Sequence, residues 1–375
     1  MTLNAALLLK MNKILAERGE TAKENVREYI SRNFKDNSQI SLALRYFSDG
    51  ALKRSLPVFP TLIAISCEAA GGVSEETVAF GEAIVLLTGA ADLHDDVIDQ
   101  SILKGPNKTV FGKFGSNVAI LAGDVLLVEG IAKLWKQAKL IDKKRGEAVV
   151  AAVTSAVFEI SKAETEEFKL RTQGFNIKPD DYQRIIRQKA TVPELAMKIG
   201  AILGNGDLEN INSLSQFGRT CGYVTSVVKE FVDVLDCAEL TNRFRNECPP
   251  LPIIYLLQDR KFEQKLKAFQ QTGFLNEKTH QKLIDVVKNS IAIQKIHENL
   301  VSSVDVELQK MKRIAQGKTL EDLETLLLAP LSYLDDLFPL RQPAVLPNSV
   351  FSSTDDFPCD CNHAWATADS TNRVL

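Results

Sequence analysis

Four aspartates, Asp92, Asp95, Asp96 and Asp99, fall within eight residues of one another, inside the apolar run LLTGAADLHDDVID. Spacings of three, four and seven residues return to one face of an α-helix, so the run reads as a helix carrying a carboxylate stripe. Like charges on one face repel, and burial beside leucines raises the cost. The flanks, residues 83–87 and Ala90-Ala91, are too apolar for a solvated surface helix. Such a helix needs other helices around it and something positive in front of it. Mg²⁺ is the natural choice, because it takes carboxylate and phosphate oxygens and shares its shell with substrate phosphates. The cluster therefore predicts an Mg²⁺ site acting on a phosphorylated ligand.

The rest of the chain suits a large helical protein. Its 375 residues make one large domain or two ordinary ones, and 45% hydrophobic content provides a sizeable core. A net charge of -3 gives no sign of a nucleic-acid partner. The six cysteines are scattered, so reduced thiols and a cytoplasmic location are expected rather than a disulfide framework. The first twenty residues read as an amphipathic helix, not a signal peptide. No transmembrane segment is expected.

Apolar residues recur at helical spacing almost throughout. A helix should open at Ser74-Glu75-Glu76-Thr77 and run to about Asp99, with a loop at 104–107 after it. Further helices are expected at 116–138, 143–173, 179–204, 209–240, 249–271, 276–316 and 318–336. Long helices with short connections predict an all-α bundle over residues 1–338, with a central active-site cavity. Residues 339–375 lose the helical period and are rich in Pro, Ser, Asp and Asn, so they read as an irregular tail. Cys359, Cys361 and His363 in it lack the spacing and the fourth ligand of a structural zinc site.

A bundle builds metal sites from facing helices, so a second acidic helix is expected. Glu230, Asp233 and Asp236 share a face within an otherwise apolar segment that includes Phe231, Val232, Val234 and Leu235. Lys229 or a metal could balance those acids.

At this point the chain resembles the trans-isoprenyl diphosphate synthases, the polyprenyl synthetase family of the all-α class I isoprenoid superfamily. His94-Asp95-Asp96-Val97-Ile98-Asp99 matches the family's first Asp-rich motif, DDxxD. Asp233-Val234-Leu235-Asp236 resembles a worn second motif, Lys53-Arg54 with Pro57 resembles the GKRxRP segment, and Lys189-Ala190 resembles a Lys-Thr pair. IGAILG (199–204) and KFGSNVAILAGDVLL (113–127) also look like family segments. The resemblance implies three Mg²⁺ ions bridging two acidic helices and an allylic prenyl diphosphate. Asp95 and Asp99 would be ligands, Asp96 would support them, and Asp233 and Asp236 would hold the remaining metal. Asp95, Asp96, Asp99 and Lys189 would be catalytic. Lys53, Arg54, Lys104, Lys189 and Arg243 would bind diphosphate. Ala90 and Ala91 would set the depth of the hydrocarbon pocket, and both are small, so a product of about twenty carbons or more is implied. Relatives are commonly homodimers, and a homodimer is expected here.

The departures from the family pattern shape the functional reading. In the basic pocket for isopentenyl diphosphate, Leu56 replaces an arginine, Thr88 replaces a His or Gln, and Lys104-Gly105 replaces two arginines. Lysine is a point charge where arginine offers a planar fork. In the second motif Val232 stands where the first Asp belongs. Arg243 and Arg245 in NRFRNECPPLP (242–252) could supply new basic groups. The leading expectation is a terpene-synthase-like enzyme that ionises a long allylic diphosphate and then cyclises or eliminates. The alternative is a chain-elongating prenyltransferase that uses isopentenyl diphosphate. A third reading is a non-catalytic partner subunit of a prenyl synthase.

Overall fold

A computed structural model describes residues 3–272 and 277–338. The described chain is helical except for one two-stranded hairpin. In chain order the helices are α1 (Leu3–Asn33), α2 (Gln39–Phe47), α3 (Val58–Ala69), α4 (Val78–Ile98), α5 (Val110–Phe114), α6 (Ser116–Ala138), α7 (Lys143–Arg171) and α8 (Pro179–Lys189). There follow α9 (Thr191–Leu203), α10 (Leu208–Leu235), α11 (Cys237–Asn246), α12 (Leu251–Leu256), α13 (Arg260–Thr272), α14 (Glu277–Asn289), α15 (Ile291–Met311) and α16 (Gly317–Leu337). The hairpin pairs β1 (Leu103–Lys104) with β2 (Asn107–Lys108) in antiparallel register. The all-α bundle expected from periodicity is what forms.

The longer expected helices are broken where a residue leaves helical geometry. Ala190 separates α8 from α9, just before Pro193 in the first turn of α9. Asp236, extended at φ -98° and ψ 111°, separates α10 from α11, and Ser290 separates α14 from α15. The segment expected at 104–107 as a loop is the turn of the hairpin. The tail, with Cys359, Cys361 and His363, lies outside the described residues.

Helix α4 is the centre of the bundle, with α1, α3 and α6 packed around it. Its approach to α6 depends on two glycines. A Cβ at Gly123 would meet the His94 ring, and one at Gly130 would meet Leu87 at 2.8 Å. The segment Ser74–Ile98 is long and apolar enough to cross a membrane by length and composition, which the sequence reading did not anticipate. It is mostly buried within the bundle, as the core helix of such a fold must be.

Candidate active site

The carboxylate stripe forms as the spacing requires. Asp95 and Asp96 lie in the last turn of α4, and Asp99 is its C-terminal cap. Helix C-termini already carry partial negative charge, so acids there go against local preference and favour a cation in front of them. The hairpin supplies one. Lys104 Nζ lies 2.6 Å from Asp92 Oδ1 and 2.8 Å from Asp96 Oδ1. Burial pushes the Asp96 carboxyl up to about 6 despite the pull of Lys104, and the nearby Asp92 and Asp95 add to the rise. Asp99 is pushed up to about 8, first by burial and then by Asp95 and Glu247. Asp96 Oδ1 and Glu167 Oε2 are buried and within ion-pair reach of a lysine, yet neither meets a donor at hydrogen-bonding angles.

Three glutamates that the sequence reading passed over complete this face. Lys189 Nζ lies 2.9 Å from Glu164 Oε1 and also pairs with Glu167, both on α7. Burial opposes the Lys189 charge, but the two glutamates more than offset it and raise the ammonium. Glu247, just past α11, is pushed up to about 7 by burial, against the pull of Arg243. The three-residue spacing of Glu164 and Glu167 was visible as a shared helix face. Glu247 had no local signal, because only tertiary folding brings it near Asp99. Lys189 does sit beside Asp99, but its ammonium is held by α7, so reaching a diphosphate requires exchange of those glutamate contacts.

The α4 face fits a hard divalent cation. All of its donors are carboxylate oxygens, and burial and crowding raise the pKa of Asp96 and Asp99, which a bound cation would lower again. Among the described residues no three His, Cys, Asp or Glu side chains already close around a metal position. Mg²⁺ commonly takes one or two carboxylates and completes its shell with water and phosphate, so an open site suits it.

The α10 face does not fit. Arg243 is 3% exposed and its guanidinium is used internally. Nη1 donates to Asp233 Oδ2 at 2.7 Å, and Nη2 donates to the Tyr182 hydroxyl at 2.7 Å and to Glu230 Oε2 at 3.1 Å. Nε donates to the Cys248 carbonyl at 2.9 Å. Tyr182 in turn donates to Glu230 at 3.1 Å, and the Leu251 amide donates to Glu230 Oε2 at 2.7 Å. The expectation that Arg243 binds diphosphate is therefore corrected: it is buried beneath the acids, not presented to a ligand. The metal role expected of Asp233 meets a built-in cation, since Arg243 pairs with it at 2.7 Å. Asp236 is exposed and uses one oxygen to cap α11, accepting from Ala238 N at 2.9 Å and Glu239 N at 3.1 Å.

Beside Asp92 and Asp96 of α4, a cavity of about 260 Å³ opens between the end of α2, the turn after it and the hairpin. Arg54, Lys104 and Lys108 bring positive charge to it, next to Asp92 and Asp96. Lys108 was missed in the sequence. The hairpin register, which sets it opposite Leu103, brings it there. Lys53 is exposed and is not among the residues lining this cavity. Leu56 packs against the main core, and Thr88 turns its hydroxyl back to the Ile84 carbonyl at 2.9 Å, so neither offers a donor. Ala90 is 1% exposed within the core cluster that includes Phe47, Leu93 and Leu126, so, contrary to expectation, it does not open onto a hydrocarbon pocket. Ala91 is exposed on the same side of the helix as Asp95.

Comparison with known proteins agrees with this layout. The polyprenyl synthetase family profile matches residues 37–287. Solanesyl diphosphate synthase 2, chloroplastic, of Arabidopsis thaliana is 24% identical over 305 residues, covering 79% of this chain and 70% of that one. Geranylfarnesyl diphosphate synthase of Methanosarcina mazei is 25% identical over 217 residues, covering 58% of this chain and 69% of that one. The crystal structure of geranylgeranyl pyrophosphate synthetase from Pyrococcus horikoshii superposes with a TM-score of 0.74 at 21% identity, covering 86% of this chain and 98% of that one. Polyprenyl synthase from Caulobacter crescentus, solved with calcium and isoprenyl diphosphate, gives a TM-score of 0.70 at 19% identity, over 86% and 97% of the two chains. The chain belongs to the polyprenyl synthetase family of prenyltransferases, enzymes of allylic prenyl diphosphates with an all-α isoprenoid synthase fold.

Proposed function

We propose that this protein is a Mg²⁺-dependent, chain-elongating prenyltransferase that joins an allylic prenyl diphosphate to isopentenyl diphosphate. The observation that carries this reading is the cavity lined by Arg54, Lys104 and Lys108 together with Asp92 and Asp96, on the helix that also carries Asp95 and Asp99. Substitutions at Leu56, Thr88 and Gly105 had suggested that the second diphosphate pocket was lost. The hairpin supplies replacement cations from other positions. The cavity is smaller than most drug-sized ligand pockets and suits a short diphosphate ester better than a polyprenyl chain. The named relatives are prenyl diphosphate synthases, which favours elongation over the terpene-synthase-like reading.

Mg²⁺ held by Asp95 and Asp99, with Asp96 in support, would neutralise the departing diphosphate. The allylic carbon–oxygen bond breaks and pyrophosphate leaves. The double bond of isopentenyl diphosphate attacks the allylic carbon, and loss of a proton from the adduct gives the longer diphosphate. Arg54, Lys104 and Lys108 hold the second diphosphate in register with the first. Lys104 also bridges Asp92 and Asp96, so it couples the two pockets. Small Ala91, next to the Asp95 face, leaves room for a long chain and supports a product of about twenty carbons or more.

A homodimer is part of this reading. Leu121, Val128 and Trp135 form an exposed apolar stripe at seven-residue spacing on α6, and Val157, Phe158 and Phe168 expose a second on α7. The buried thiols Cys67, Cys221 and Cys248 suit a reducing, cytoplasmic compartment.

Labelled isopentenyl diphosphate tests the function. Incorporation into a longer diphosphate, in the presence of Mg²⁺ and geranylgeranyl diphosphate, is expected. Conversion of geranylgeranyl diphosphate alone to a hydrocarbon or alcohol would replace this reading with the terpene-synthase one. Inactivity under both conditions, at every allylic chain length, would point to a partner subunit.

A further inference from the structure

Lys229 sits on the buried α10 wall and is not absorbed by the network beneath it. Arg243 is committed to Glu230, Asp233, Tyr182 and Cys248. The Lys229 side chain is 69% exposed, and among the described residues its ammonium has one ion-pair neighbour, Asp233 Oδ2, at 3.7 Å. That distance is too long for a hydrogen bond, so Asp233 leaves its three N–H donors unused. Glu247 links the two walls of the crevice: it acts on Asp99 of α4, and Lys229 and Arg243 act on it.

The two walls differ in sign. On α4 Lys104 pairs with Asp92 and Asp96 of the four aspartates. On α10 two fixed cations, Lys229 and Arg243, stand among Glu230, Asp233 and Glu247, and Arg243 pairs with all three. A divalent cation placed there would be repelled by two fixed cations, and Arg243 already occupies oxygens of Glu230 and Asp233.

We propose that Lys229 takes the place of the metal ion on the α10 wall and binds the allylic diphosphate directly through its ammonium. The crevice is then asymmetric, with metal on the α4 side and a fixed lysine on the α10 side. Arg243 is the positioning residue: by neutralising Glu230 and Asp233 it keeps Lys229 from being drawn into a buried salt bridge. This inference rests on the proposed function, because it needs a diphosphate in the crevice.

Inorganic pyrophosphate and Mn²⁺ are suitable probes with the full chain, using calorimetry for affinity and electron paramagnetic resonance for bound ions. The wild-type complex with pyrophosphate should hold fewer than three Mn²⁺ per chain. Lys229→Gln should weaken pyrophosphate binding by about tenfold or more, the loss of a charge-assisted contact, while the number of bound Mn²⁺ stays the same. Circular dichroism should show both proteins equally folded, since Lys229 is exposed. Three bound Mn²⁺ in the wild-type complex, or unchanged pyrophosphate affinity in Lys229→Gln, overturns the proposal and leaves the proposed function standing. Failure of the wild-type protein to bind pyrophosphate with Mn²⁺ overturns the functional reading and this inference with it.

Discussion

Helices α4 and α10 both carry carboxylates on one face near their C-terminal ends, yet they resolve the repulsion in opposite ways. On α4 the acids are crowded, and burial followed by neighbouring carboxylates pushes Asp96 up to about 6 and Asp99 up to about 8. On α10 the acids have built-in cations, Arg243 from below and Lys229 from the side. On α4 Lys104 pairs with Asp92 and Asp96, and among the described residues no ion pair reaches Asp95 or Asp99, which leaves those two open to a metal. The same residue type is a functional group on one helix and structural material on the other.

The largest expected effect separates these roles by stability. Arg243→Ala leaves Glu230 and Asp233 buried without a partner and should cost about 3–5 kcal/mol, read as a lowered denaturation midpoint. A loss below about 1 kcal/mol would mean that the α10 acids are not neutralised by Arg243. Asp95→Ala should do the reverse: it should cut the rate of product formation by about 10²–10³-fold and leave the melting temperature unchanged or raised. Equal losses of stability in both variants would erase the contrast.

The pH dependence sharpens it further. Asp96, Glu247 and Asp99 have folded values of about 6, 7 and 8, all above the ordinary carboxylate range. The folded state therefore binds more protons than the unfolded state between about pH 4 and 8, and stability falls as pH rises through that window. Metal-free protein in EDTA should melt at a lower temperature at pH 8 than at pH 6, and Mg²⁺ should recover more of the loss at pH 8. A melting temperature that rises between those pH values would contradict the crowding of α4. The smallest effect belongs to Asp236→Ala, which removes the N-cap of α11 and should cost about 1 kcal/mol of stability.

How legible these features were depended on the range of the interaction. Spacing alone placed Asp92, Asp95, Asp96 and Asp99 on one helix, because that periodicity is local. The same argument put Glu230 and Asp233 together, but it could not see Arg243 arriving from the next helix to neutralise them. Its place in NRFRNECPPLP, just after the second acidic segment, made it look like a ligand-binding cation; only burial shows otherwise. The basic pocket was misjudged for a related reason. Leu56, Thr88 and Gly105 are losses at fixed positions, whereas Lys108 is a gain that exists only through the hairpin register. Ala90 and Ala91 are adjacent and equally small, yet 100° of helical rotation puts one in the core and the other beside Asp95. Helix breaks at Asp236 and Ser290 were missed because the apolar period continues across them, and capping geometry, not hydrophobicity, divides the helices.

The most direct test of the central contrast is the rate of labelled isopentenyl diphosphate incorporation at saturating Mg²⁺, compared for wild type, Asp95→Ala and Asp236→Ala. The expected result is a Mg²⁺-dependent product from wild type, near-complete loss in Asp95→Ala and a rate within about threefold of wild type in Asp236→Ala. Loss in Asp236→Ala as deep as in Asp95→Ala would show that α10 carries metal chemistry after all, and would contradict the division of labour between the two helices.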